Sequence, residues 1–394
     1  MRNTLLRRAA ALAATLGLTS LGLLGAGAAP AQAAISDCPK GYFCAWQDSG
    51  TGSMFKTNTN KATLGTWDGK FRTVINRTSS IACLYEQPNY EVPGYHWVEP
   101  DPYATSFGDM LSTSSIKFVR TLRECETEAY PGWVTTTSPK AIGFGDMNAD
   151  RRADIIVCDE VGRLWFLPGD GTGRLIGSGG WKAFDALVRH GDFSRDGRED
   201  VIAREKATGK LWLYPGTGSG GLGARTLIGN GGWNSMGHLA AFGDLSGDGR
   251  SDLLAVEKAT GKLWLYPGTA SGTLGARKLI GTGGWNGMNA LVGAGDITGD
   301  GRADLVARER ATGKLWLYPA TTTRTLGARK LIGTGGWNSM QPILGVGDTS
   351  GDGRPDLEAS DSYLLWQYQG LSTGGLRKAE WNAGWWGLEG ATAF

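Results

Sequence analysis

Residues 244–295 read DLSGDGRSDLLAVEKATGKLWLYPGTASGTLGARKLIGTGGWNGMNALVGAG, and residues 296–347 nearly repeat them. Counted from the leading aspartate, the units begin at Asp146, Asp192, Asp244, Asp296 and Asp348, spaced by 46, 52, 52 and 52 residues. A tryptophan in an LW run keeps step at Trp165, Trp212, Trp264, Trp316 and Trp366, and a second in a GW run at Trp181, Trp233, Trp285, Trp337 and Trp385. A fixed period of this length marks a repeat architecture, in which each unit buries its apolar face on its neighbours.

Within one unit, residues 253–257 and 263–266 are short apolar runs on either side of Ala259, Thr260 and Gly261, the pattern of a β-hairpin. Alternation sends Leu263 and Leu265 to one face and Trp264 and Tyr266 to the other, so both faces are apolar and both need cover. Copies stacked face to face and bent into a ring supply that cover and leave only short edges. Each unit has room for four strands, at residues 239–242, 253–257, 263–266 and 277–280, and helix signals are absent. The expected fold is all-β, a β-propeller of about five four-stranded blades over residues 141–394. One strand copy is surplus. The strand before each aspartate loop occurs six times, counting residues 141–144 and 390–394, and the extra copy either overlaps the closing blade or extends an edge.

Every unit opens with the spacing D-x-[N/S/T]-x-D-G-x-x-D, with arginine in place of the glycine in the first. The candidate ligands are Asp146, Asn148, Asp150 and Asp154; Asp192, Ser194, Asp196 and Asp200; Asp244, Ser246, Asp248 and Asp252; Asp296, Thr298, Asp300 and Asp304; and Asp348, Ser350, Asp352 and Asp356. Three carboxylates with a hydroxyl or amide are hard oxygen donors of the kind Ca2+ prefers, and a glycine permits the turn that converges them. Position twelve holds Val157, Ala203, Ala255, Ala307 and Ala359 where an EF-hand needs a bidentate glutamate, and strands flank the loops. The competing reading is a solvated turn whose aspartates accept backbone hydrogen bonds. Five near-identical copies point to structure, and no residue is assigned a catalytic role.

The run FGDLSGDGRSDLL at residues 242–254 resembles the FG-GAP or VCBS repeat of integrin-like propellers, which implies calcium-binding loops. LIGTGGWN at residues 279–286 resembles the repeat signature of tachylectin, which implies a five-bladed lectin with N-acetylated sugars bound between blades. On that resemblance the candidate sugar contacts are Trp181, Trp233, Asn234, Trp285, Asn286, Trp337 and Asn338: an indole stacks on a pyranose ring while an amide reads its hydroxyls. The alternative is that these tryptophans fill the space between blades. The fifth unit departs from the pattern with Trp385 and Trp386.

Residues 35–128 lie outside the repeat. CPKGYFCAWQDSGTGSMF at 38–55 and ACLYEQPNYEVPGYHW at 82–97 each place an aromatic strand near a cysteine, followed by a turn, which predicts a small Greek-key sandwich. Four cysteines fall here. The favoured pairing is Cys38 with Cys44 and Cys83 with Cys125, among three possible connectivities, and Cys158 is left as a buried thiol. Cys38, Pro39, Gly41, Cys44 and the CLYEQPNY run resemble the bacterial secreted peptidase-inhibitor family whose fold is βγ-crystallin-like, so inhibition is implied by family alone. Tyr85 and Tyr90 match the crystallin corner; Ile75 stands where that family's calcium signature expects an acid or amide. Residues 129–140 read as a polar linker.

Residues 1–33 carry Arg2, Arg7 and Arg8, an apolar stretch and the closing Ala31, Gln32 and Ala33, the pattern of a signal peptide. The expected location is therefore extracellular, with no later segment apolar enough to span a membrane. Without the leader, 37 basic residues face 38 acidic ones, and nothing steers the chain to nucleic acid. His96, His190 and His238 have no metal spacing, and Gly216, Gly218 and Gly221 satisfy G-x-G-x-x-G without the helix that motif needs. The expected protein is not an enzyme. It binds an extracellular glycan or protein surface through the propeller or, alternatively, inhibits a secreted peptidase through the front domain and uses the propeller for targeting.

Overall fold

The computed structural model describes residues 34–91, 95–101, 106–110, 112–126, 133–138, 145–189, 191–361, 364–384 and 391–394. The predicted leader at 1–33, the strand copy at 141–144, His190 and Trp385 lie outside the described residues.

The front domain has strands β1 (Phe43–Trp46), β2 (Met54–Thr57), β3 (Phe71–Asn76), β4 (Ile81–Tyr85), β5 (Tyr95–Val98), β6 (Ser106–Met110) and β7 (Ser115–Val119). They form one sheet in the order β2-β1-β3-β6 and a second in the order β5-β4-β7. All of β1 is buried because both its faces are covered. Phe43 and Ala45 meet Phe71, Leu84 and Ile116 between the sheets, while Cys44 and Trp46 pack with Cys38 and Ile75 behind them. The disulfides are Cys38–Cys44 and Cys83–Cys125, the favoured one of the three connectivities, and Cys158 is free and buried. One helical turn, α1 (Arg123–Glu126), was not anticipated from the sequence.

Five antiparallel sheets follow. The first contains β8 (Ile155–Cys158), β9 (Leu164–Leu167) and β10 (Arg174–Gly177). The second runs β11 (Phe184–Val188), β12 (Val201–Glu205), β13 (Leu211–Tyr214), β14 (Thr226–Gly229). The third runs β15 (Met236–Ala241), β16 (Leu253–Glu257), β17 (Leu263–Tyr266), β18 (Lys278–Gly281). The fourth is β19 (Met288–Gly293), β20 (Leu305–Glu309), β21 (Leu315–Tyr318), β22 (Lys330–Gly333), and the fifth β23 (Ile343–Leu344), β24 (Leu357–Ser360), β25 (Leu364–Tyr368), β26 (Glu380–Gly384). Phe242, Leu254 and Leu263 of the third unit share one core with Leu305 and Ala320 of the fourth, so the apolar faces cover each other as the two-sided pattern requires. Leu187, Leu239, Leu291, Leu344 and Phe394 line an axial cavity of about 190 Å3, which places the strand before each aspartate loop innermost.

The chain's last strand closes the first blade. β27 (Thr392–Ala393) pairs with β8, Thr392 opposite Cys158 and Ala393 opposite Val157, and supplies the innermost strand of the first blade. Phe394 and Ile156 exchange backbone hydrogen bonds of 3.0 Å beside it.

A second closure lies in residues 133–138, read from sequence as linker. The arm between β9 and β10 spans only residues 168–173, against 215–225 between β13 and β14. In the other blades this arm pairs with itself, Gly216 to Leu222 in the second, and there the Gly220 N–H reaches Met147 O of the first aspartate loop at 3.2 Å. In the first blade the linker takes that role: Val134 pairs with Asp170, Thr135 N–H donates to Gly169 O at 2.8 Å and Thr136 N–H to Thr349 O at 3.2 Å. Trp133 is fully buried among Ile155, Leu167, Leu344, Val346 and Leu365, side chains of the first and last units. Arg163 completes the tie, bonding Asp159 at 2.6 Å in its own blade and Glu124 of the front domain. Truncating a large buried aromatic costs about 3–5 kcal/mol. Trp133→Ala is therefore expected to destabilise the propeller by that amount and so lower its melting transition, read by calorimetry on the full chain; an unmoved transition would show that the segment is not part of the ring.

Candidate metal loops and inter-blade positions

In the third aspartate loop, Asp244 accepts the N–H groups of Gly247 at 2.6 Å and Asp248 at 3.1 Å on one oxygen and that of Gly249 at 2.7 Å on the other. Asp252, two turns on, is fully buried and accepts from Leu245 N at 2.9 Å and Ser246 N at 2.6 Å. Its second oxygen accepts Gly268 N at 3.1 Å, so this side chain staples the loop to the arm of its own blade. The fold repeats the staple: Asp200 to Gly216, Asp304 to Ala320 and Asp356 to Gly370. In the first blade Asp154 accepts Met147 N at 2.6 Å, but the short arm brings no donor to Oδ1, which is buried without a hydrogen-bond partner.

Two loop positions take left-handed backbone. Gly247 and Gly249 have φ of 71° and 78°. The first loop holds Ala149 and Arg151 at 63° and 65°, and the second Arg195 at 66°, where a side chain is strained. Sequence reading flagged Arg151 and missed Ala149 and Arg195; the signal was the glycine at the fourth position of loops three to five.

Burial pushes the ninth-position carboxyls upward, to about 8 for Asp154 and about 6 for Asp200, Asp252 and Asp304. Neighbouring carboxylates add to this, Asp244 and Asp248 on Asp252 for example. The donor chemistry fits a divalent ion, since Asp244 Oδ2 and Asp252 Oδ1 each accept a single N–H and keep a second lone pair. The ion would be held by the first, third, fifth and ninth positions of each loop, and would supply positive charge beside these buried carboxylates. Among the described residues no three His, Cys, Asp or Glu side chains already form a metal cage. The loops are closed by their own N–H groups.

At the inter-blade positions, Trp181, Trp285 and Trp337 are buried, and Trp233 is half-buried. Each ring lies against the tyrosine of the following blade, with centroids 4.8 Å apart for Trp181 and Tyr214, 4.5 Å for Trp233 and Tyr266, 4.7 Å for Trp285 and Tyr318, and 4.4 Å for Trp337 and Tyr368. A Cβ at Gly229 would stand 2.3 Å from the Trp233 indole nitrogen, which explains the glycine of the LIG run. Asn234 and Asn338 donate their side-chain amides to Lys206 O and Arg310 O at 3.1 and 2.9 Å. The tryptophans fill space between blades, and Asn234, Asn286 and Asn338 are exposed beside them. A groove of about 560 Å3 opens between the fourth and fifth aspartate loops, lined by Asp296, Arg302, Asp348, Asp352 and Arg354.

This geometry defines a non-helical repeat propeller carrying acidic loops, behind a disulfide-bonded sandwich. Residues 31–99 match peptidase inhibitor family I36, and FG-GAP-like repeats match at residues 192–255, 244–307 and 296–357. The chain thus joins a peptidase inhibitor family I36 domain to FG-GAP-like repeats. No curated protein matches it. Solved structures similar to it include an Agrocybe aegerita lectin specific for non-reducing terminal N-acetylglucosamine, at TM-score 0.40 and 20% identity over 64% of this chain and 69% of that one. The Photorhabdus luminescens Tc holotoxin pore gives 0.37 and 14% over 70% of this chain, which spans 12% of its length. An auxiliary nutrient binding protein from Bacteroides ovatus gives 0.35 and 12% over 78% and 81%. The two disulfides and the inhibitor-family domain fit an extracellular protein. Among the described residues no helix is long and apolar enough to cross a membrane.

For each raised carboxyl the folded-state value lies above the unfolded one. Its stabilising contribution is complete below the ordinary carboxylate range and is lost as pH rises through about 6 for Asp200, Asp252 and Asp304 and about 8 for Asp154. Under chelation the melting temperature should fall between pH 5 and pH 8, and Asp252→Asn should flatten part of that slope. A melting temperature independent of pH over this range in the chelated protein would contradict the assignment.

Proposed function

We propose that the chain is a secreted, non-catalytic binding protein whose propeller is stabilised by calcium and presents a repeated surface to a glycan or protein. One observation carries this reading. A fully buried carboxylate recurs at the ninth position of all five loops, and in the second to fourth its partners are backbone N–H groups and a hydroxyl. Buried charge without a cation is costly. A bound Ca2+ at Asp146, Asp192, Asp244, Asp296 or Asp348 and its loop partners removes that cost and draws the loops onto the ring. Binding rather than catalysis is supported by repetition, since five copies of one loop stabilise a scaffold. The leader at 1–33 and the disulfides support export.

Calcium in hundredfold excess over Kd contributes about 2.7 kcal/mol per site. The melting temperature of the full chain should therefore rise with added calcium at pH 7.5 and fall on chelation, and an identical melt in both conditions defeats the metal assignment. A glycan array probed with the calcium-loaded chain tests the partner, with uniform silence removing the glycan half.

The second reading, peptidase inhibition by the front domain, is favoured by the family match at residues 31–99. In that reading the Arg163–Glu124 tie and the packed 133–138 segment carry the inhibitor on the propeller. Titration of secreted metallo- and serine peptidases with the chain should then give stoichiometric loss of one activity, and full retention across the panel counts against it.

A further inference from the structure

The outer wall of the ring carries a feature that neither the metal loops nor the inter-blade turns use. Arg225, Arg277 and Arg329 immediately precede the outermost strands β14, β18 and β22 of blades two, three and four. Each lays its guanidinium over the indole of its blade's LW tryptophan, 4.0 Å from the ring centroid at Trp212 and 3.9 Å at Trp264 and Trp316. Such a stack occupies the flat face of the guanidinium and holds it still, and turns its rim of N–H donors outward to grip a carboxylate or sulfate; Arg225 spends one of these donors on the Tyr214 hydroxyl at 3.4 Å. The nearest acids do not saturate that rim. Glu257 lies 3.5 Å from Arg277 and Glu309 3.7 Å from Arg329, and each glutamate is also engaged by a hydroxyl, of Thr260 and Thr312. The Arg277 and Arg329 side chains remain 41% and 44% exposed.

Only in these three consecutive blades does the arginine ahead of the outermost strand supply the stack; in the first, Arg163, already paired with Asp159 and Glu124, lies 5.2 Å from the Trp165 centroid. The strand register places Gly173 at the corresponding position of the first blade and Ala379 at that of the fifth. There the indoles of Trp165 and Trp366 donate instead to Asp159 and Asp361, whereas the indole nitrogens of Trp212 and Trp316 have no hydrogen-bond partner. Leu227, Leu279 and Leu331 stand opposite the three tryptophans and are exposed, giving each cationic rim an apolar neighbour.

We propose that this wall binds a polyanionic polysaccharide, its successive carboxylate or sulfate groups taken by Arg225, Arg277 and Arg329 and its sugar faces lying on the leucines. The proposal rests on the glycan reading above and gives that glycan a chemical class. Single-stranded nucleic acid fits less well, because the indole faces on which bases would stack are covered by the guanidinium groups. A flat anionic membrane fits less well, because the rims follow the curved wall of a ring and a plane meets them one blade at a time. A flexible chain reaches all three, and linked contacts multiply in affinity.

The test uses the full calcium-loaded chain with hyaluronate as a repeating carboxylate, dextran sulfate as a repeating sulfate, neutral dextran, single-stranded DNA and phosphatidylglycerol vesicles. At least one polyanionic sugar should bind, tighter than DNA or vesicles, with binding weakened by salt, and R225Q/R277Q/R329Q should lose at least tenfold in affinity. The E257Q/E309Q variant, which frees two rims, should bind severalfold tighter, a gain that misfolding cannot imitate. An unchanged triple variant, no gain in the glutamate variant, or preference for DNA or vesicles overturns the proposal. Neutral glycans binding on the array while both polyanionic sugars fail also overturns it and leaves the glycan reading standing. Silence toward every glycan ends both.

Discussion

Each blade of the propeller is apolar on both faces, and a sheet of that kind has no stable form alone. Leu265 and Tyr266, neighbours in one strand, pack into different cores, so the third blade needs a partner on either side. Closing the ring is the constraint from which the rest follows. It explains why the last strand returns to β8, and why Trp133 is recruited into the seam between the first and last units. It also explains why glycine stands where the GW tryptophan crosses to the next blade.

Closure concentrates polar cost at one set of positions. The loop joining an innermost strand to its neighbour must turn back over the core, and the ninth-position aspartate holds it there by satisfying N–H groups of both the loop and the arm. That role requires burial, and burial raises the carboxyl's affinity for a proton. A proton or a divalent ion can meet the same need, which links the proposed calcium to acidity through a single side chain. The first blade is the exception. Its short arm leaves Asp154 Oδ1 without a donor, and the segment from the front domain covers the neighbouring fifth loop through Ser138 and Asp348, 2.7 Å apart.

The two domains are therefore coupled where the ring is closed. Arg163 joins Asp159 to Glu124, and residues 133–138 complete a blade that the repeat leaves unfinished. An inhibitor-family domain fixed in this way sits at a defined place on a scaffold whose outer wall shows the same arginine, tryptophan and leucine in three successive blades.

Much of this was legible in the amino-acid sequence. The 52-residue period, the strands of each unit and the aspartate spacing are local patterns, and local geometry turns them directly into hairpins and turns. What residues far apart do when the ring brings them together has no such local sign. Only the tertiary structure decided that Thr392 and Ala393 close the first blade, that a polar-looking linker buries Trp133, and that the GW tryptophans pack on tyrosines. The same holds for the arginine stacks, because Arg277 and Trp264 are thirteen positions apart and meet only when β17 and β18 pair in register. A repeat specifies its unit through short-range periodicity. The contacts that join the first unit to the last depend on where the chain arrives after every intervening blade has been packed.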